Sequence, residues 1–194
     1  MSVIVFGNGP MPNEPQFAVM APGSRTWQIV RTVAQGLAES GAELEGIVVL
    51  MLDETPRAGA GAGQRFSVAA GTRQVSVECR ALRYEEFRGL ADADPADDPL
   101  PANIRAVVAT GSAQPYSTAS RFSRRKNLPL WIDIFGDPIS ETQSQLELMI
   151  GTDQQGLDNK LVHVWKLLLD GLLQGDGFYG LSRRQRHAVH GQLG

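Results

Sequence analysis

Ile47-Val48-Val49-Leu50-Met51-Leu52 is an unbroken apolar run. A strand with one wet face alternates apolar and polar residues. A run without alternation fits a strand covered on both sides, as in a parallel sheet between helical layers. Val3-Ile4-Val5-Phe6 is a second such run, and a segment of helical spacing lies between the two. Within 25–39, Ile29, Val33 and Leu37 fall on one face, flanked by Val30 and Ala34, with Ser24 as N-cap and Gly41 as C-terminal stop. Strand, helix and strand in that order predict a parallel pair joined by a crossover helix.

The alternation continues outward. Further β-rich runs lie at 74–80, 105–110, 129–135 and 177–181. A helix is predicted over 157–173 from Leu157, Leu161, Val164, Trp165, Leu168 and Leu172, and two more over 139–150 and 183–193. The expected fold is α/β: a single Rossmann-like domain over 1–194, with a doubly wound, mostly parallel sheet, helices on both faces and right-handed crossovers. Two insertions interrupt the pattern. Residues 53–73 contain the Gly/Ala stretch 58–63 and read as a loop; residues 91–103 carry Asp92, Asp94, Asp97 and Asp98 among prolines and read as a solvated linker. The acids lack the Gly turn and bidentate Glu of a calcium loop.

The chain has 194 residues and a net charge of −3, so it is long enough for a sizeable core and not basic enough to suggest nucleic-acid binding. No apolar run approaches the roughly 20 residues of a membrane helix. The single cysteine, Cys79, lies in a predicted strand and reads as a small core residue in a reducing compartment. The expected location is cytoplasmic, with peripheral contact to a membrane surface left open.

Four places carry candidate chemistry. Gly7-Asn8-Gly9 follows the first strand, but Pro12 stands where a dinucleotide fingerprint needs its third glycine, so NAD is not expected. The glycines either admit a ligand or form a strand-exit turn. Arg25-Thr26-Trp27-Gln28 opens the first helix: Arg25 offers a forked donor to phosphate or carboxylate, or a surface ion pair, and Trp27 stacks on a sugar or packs in the core. Asp133 sits among apolar neighbours within a strand, where an unpaired carboxylate is costly; its partner is a loop N–H, an arginine or a ligand hydroxyl. Gly136 and Asp137 follow, with Asp137 read as a helix cap or a ligand contact. Arg183, Arg184 and Arg186 follow Ser182 and serve an anion or a solvated face. His163, His187 and His190 have no metal spacing, and there is no phosphate-binding lysine loop or nucleophile elbow. No metal or cofactor is expected.

Three of these stretches occur in a familiar order: Gly7-Asn8-Gly9-Pro10 with Arg25-Thr26-Trp27-Gln28; the strand Leu128 to Gly136 with Asp137-Pro138; and Gly175-Asp176-Gly177-Phe178 followed by Ser182-Arg183-Arg184-Gln185-Arg186. The order resembles the N-terminal domain of bacterial glycosyltransferases of the two-domain GT-B fold, in the glycogen-synthase-like, family-4-like superfamily. The resemblance covers nearly the whole chain. It implies a cleft between two Rossmann-like domains, with a sugar, lipid-linked or small-molecule acceptor held mainly by this half. The nucleotide-sugar donor would be held mainly by a C-terminal half that this sequence does not contain. It further implies that Gly7, Gly9, Arg25, Trp27 and Gln28 line the cleft floor, with Asp133, Gly136, Asp137 and Arg184 as further contacts. Ala109-Thr110-Gly111-Ser112 has no His or acid where such enzymes often carry a base, which leaves Asp133 as the catalytic candidate. The competing expectation is a non-catalytic Rossmann-like module that binds a nucleotide, a sugar or a partner.

Overall fold

The computed structural model describes residues 1–8, 25–41, 45–53, 63–93, 100–134 and 154–180, with single positions at 143, 144, 148 and 187. Seven strands form one sheet: β1 (Ser2–Asn8), β2 (Gly46–Leu52), β3 (Gln64–Ala70), β4 (Arg73–Leu82), β5 (Ile104–Thr110), β6 (Leu130–Ile134) and β7 (Gly177–Gly180). Among the described residues, the continuous helices are α1 (Arg25–Glu39), α2 (Tyr84–Gly89), α3 (Ala113–Lys126) and α4 (Gln154–Leu172). The strand order is β3-β4-β2-β1-β5-β6-β7. Every pairing is parallel except β3 with β4. This is the expected Rossmann-like α/β sheet with one antiparallel strand added at its edge.

The apolar runs fill both faces because successive side chains on a strand point to opposite sides. Val3 and Val5 of β1, Ile47, Val49 and Met51 of β2, and Val75, Val77 and Cys79 of β4 pack with Trp27, Ile29, Val30 and Ala34 of α1. Ile4, Phe6, Val48, Leu50, Val107 and Ile132 face the other way, against Phe87 of α2, Tyr116 and Phe122 of α3, and Leu168 and Leu172 of α4. Phe6 lies edge-to-face on Phe87 with ring centroids 5.7 Å apart. Burying one such ring contributes about 1.5–3 kcal/mol. Where α3 meets α4, Gly171 lets the helices approach; a Cβ there would lie 2.5 Å from Tyr116 Cβ.

The stop signals act as their chemistry dictates. Gly41, just past α1, has φ +69°, and Asn127 closes α3 at φ 51°. Arg124, Arg125 and Lys126 occupy the last turn of α3, where cations complement the helix dipole. Arg125 also donates to the carbonyls of Leu90 (3.0 Å) and Ala93, and Arg121 pairs with Asp92, so this basic cluster ties down the chain after α2.

The reading of 53–73 as a single loop is corrected: Gln64–Ala70 is a strand, paired antiparallel with β4 from Gln64↔Cys79 to Ala70↔Arg73. Gly71, at φ +62°, makes the turn between the strands. The helices expected over 139–150 and 183–193 fall almost wholly outside the described residues. Among the described residues, no helix is long and apolar enough to cross a membrane.

Candidate functional site

The chain leaves β1 toward β2 on one side and later returns through α2 to β5 on the other side of β1. The strand order therefore reverses between β1 and β5. In open α/β sheets, ligands sit beyond the carboxyl ends of the strands at such a point. Asn8 ends β1 and Thr110 ends β5 at this edge, and α1 and α3 both begin there.

Backbone room at the crevice comes from two glycines. A Cβ on Gly7 would lie 2.5 Å from Thr26 Cγ2, so Gly7 is what lets the first turn of α1 settle onto β1. Thr26 Oγ1 then donates to the Asn8 carbonyl at 3.2 Å. Gly111, at φ +104°, accommodates the Asn8 side chain, whose Oδ1 would overlap any Cβ there.

Beside the crevice lies a polar row. Thr110 on β5, Asp133 on β6 and Tyr179 on β7 are register neighbours and so share a face of the sheet, the one that α1 covers. Arg25, the first residue of α1, sits over the row. Its Nε donates to Asp133 Oδ2 at 2.7 Å and its Nη2 to Asp133 Oδ1, a two-point pairing of guanidinium with carboxylate. Thr110 Oγ1 donates to Asp133 Oδ2 at 2.7 Å. Tyr116, from the opposite face, donates its hydroxyl to the Asp133 carbonyl at 2.9 Å. The Tyr179 ring lies 5.5 Å from the Arg25 guanidinium carbon, within cation–π range. Arg25 Nη1 reaches Gln28 Oε1, one helical turn on, at 3.3 Å.

The pair is well desolvated: the Asp133 side chain is 1% exposed and that of Arg25 12%. The hydrogen bond that Arg25 donates to Asp133, aided by the carboxylate's charge, raises the Arg25 pKa above its ordinary value against the opposing effect of burial. Because both oxygens of Asp133 are taken, the carboxylate acts as an anchor that fixes Arg25.

Arg25, Gln28, Asp133 and the backbone at Gly7 thus come together at one edge. Gly7 does so by admitting Thr26. Trp27 does not join them: it is 2% exposed and packs in the core under α1, so of its two readings the structure has the core. Gly9, Gly136, Asp137 and Arg184 lie outside the described residues. Asp176, within the third motif, has a structural part, its Oδ2 accepting the Leu130 N–H at 2.7 Å where β7 joins β6. Cys79 is buried, and burial pushes its thiol up to about 12.

Thr110, Tyr116 and Tyr179 were not identified from sequence. Their only signal is a polar atom at or near the end of a β-rich segment. What makes them partners of Asp133 is strand register and the packing of α3, neither of which is local. Among the described residues, no three His, Cys, Asp or Glu side chains cluster to hold a metal ion.

The chain matches no known family model and no curated protein.

Proposed function

We propose that this chain is the acceptor-side domain of a two-domain glycosyltransferase, taking a hydroxyl-bearing acceptor at the sheet edge beside Arg25 and Asp133. One observation carries the reading. Three segments far apart in sequence, which together resemble that family, supply the residues that meet at this edge: Arg25 from the start of α1, Asp133 from β6, and Tyr179 from β7, in the segment that begins at Gly175. Within this reading, Arg25 and Gln28 contact the acceptor and Asp133 positions Arg25. The nucleotide-sugar donor would be held mainly by a second domain. An enzyme assembled this way gains much of its rate by holding donor against acceptor.

A second reading, a non-catalytic Rossmann-like binding module, is favoured by the engagement of both oxygens of Asp133, the carboxylate described at this edge, in hydrogen bonds within the protein. The two readings share the ligand-binding edge and differ in turnover.

Calorimetric titration with methyl glucoside, methyl mannoside and maltose, and separately with NAD(H), tests the shared claim. At least one glycoside should bind, and Gln28→Ala should weaken it severalfold without loss of fold. Binding of NAD(H) with no response to any glycoside would overturn the proposal.

A further inference from the structure

A groove of about 540 Å³ runs along α1 on the sheet face that also carries the polar row. Its floor is Val3, Ala106 and Val108, and Ile29, Val33 and Leu37 of α1 form one wall. Trp131 of β6 forms the other, its ring lying over Gly177, where a Cβ would not fit. Trp131 is 52% exposed, unusual for a large ring on a mostly parallel sheet, whose faces are normally covered. Apart from Thr32 on the α1 wall, the polar side chains of the groove gather at one end, where Arg25, Asp133 and Tyr179 close it.

We propose that this groove holds the single apolar chain of an amphiphile whose uncharged, hydroxyl-bearing head lies at the Arg25–Asp133 end. Size and polarity select this occupant. From Arg25 to Leu37 the groove follows α1 for roughly 18 Å, at about 1.5 Å per residue. The volume falls within the usual range of small-molecule sites. The polar end carries a matched charge pair, which favours a neutral head able to donate and accept over an ionic one. The nature of the head rests on the sugar-acceptor reading; the chain site rests on the groove alone.

Dodecyl maltoside, kept below its micelle concentration, is the probe, with maltose and a dodecyl ethylene-glycol ether as comparisons. Thr32 and Gly36 are exposed positions on α1 that line the groove, and nothing lies within 4 Å of a Cβ built on Gly36. Thr32→Phe and Gly36→Phe therefore fill the groove without disturbing the core. The chain protein should bind dodecyl maltoside at least tenfold more tightly than maltose, with a blue shift in fluorescence that Trp131→Phe removes. Each filled variant should lose at least tenfold in affinity while its circular dichroism is unchanged. Absence of binding, or equal affinity in the filled variants, overturns the proposal. So does a dimer in sedimentation equilibrium that Gly36→Phe dissociates, which would assign the groove to a second copy. Equal affinity for the glycol ether and dodecyl maltoside would leave the chain site standing and remove the sugar reading. Tight maltoside binding that survives both filled variants would do the reverse.

Discussion

Arg25 and Asp133 are 108 positions apart in sequence and share two hydrogen bonds, which fasten the first turn of α1 to the carboxyl end of β6. Pairing of this kind contributes little net stability over an apolar contact, yet breaking it from one side is expensive, because the remaining charge stays buried. That asymmetry sets the first expectation. Arg25→Ala should destabilise the fold by about 3 kcal/mol, read as a lower urea midpoint. Adding Asp133→Asn should recover part of that loss. Additive effects of the two substitutions would mean that the side chains are not coupled.

Thr110 supports the same carboxylate. Thr110→Val keeps the shape and removes the hydroxyl that donates to Asp133 Oδ2. The expected cost is about 1.5–3 kcal/mol, the range for a hydrogen bond to a charged group. A change below a few tenths in urea denaturation would contradict the role given to Thr110.

Two helical glycines should respond in opposite directions. At Gly171 a Cβ meets Tyr116 Cβ at 2.5 Å, so Gly171→Ala should force α3 and α4 apart at a cost of about 1–3 kcal/mol, more than the helix-propensity gain of about 1 kcal/mol. At Gly36 the space is open, and Gly36→Ala should raise the melting temperature, by about 0.5–1 kcal/mol of stability. Melting curves of the two variants check both signs.

Cys79 should not react with a thiol reagent at pH 8 in the folded protein and should react at once in urea, since burial holds the thiol protonated up to about 12. The same shift makes stability pH-dependent. The unfolded thiol ionises from its ordinary 9.0 while the folded one stays neutral. The contribution is therefore fully present below pH 9 and is lost as pH rises from 9 toward 12. Denaturation midpoints for the native chain and Cys79→Ala should converge over that window.

The double-sided burial of Ile47–Met51 was legible in the sequence because continuous apolar runs have few alternatives in a chain of this length. The α1 helix was legible too, from its spacing and from Gly41. β3 was not: Gln64–Ala70 follows a Gly/Ala stretch and is half exposed, so its pattern is faint, and only pairing with β4 makes it a strand. At the site, the cost of burying a carboxylate announced that Asp133 needs a partner, with an arginine among the candidates. Which arginine depends on α1 lying over β6, a long-range fact. Trp27 illustrates the converse. A tryptophan beside Arg25 on a helix reads equally well as ligand platform or core, and the 100° turn between adjacent helical residues sends the two side chains to different places.

The most direct test is a nitrogen-15 NMR titration of the chain with maltose and methyl mannoside, following the Arg25 Nε–H together with the amides of Asn8 and Gly111. The pairing with Asp133 predicts a slowly exchanging, downfield Nε–H in the free protein. The proposed function predicts that this resonance and the two amides move most as a glycoside is added. A rapidly exchanging Nε–H, or glycoside-induced shifts confined to other parts of the sheet, would contradict the placement of the site at Arg25 and Asp133.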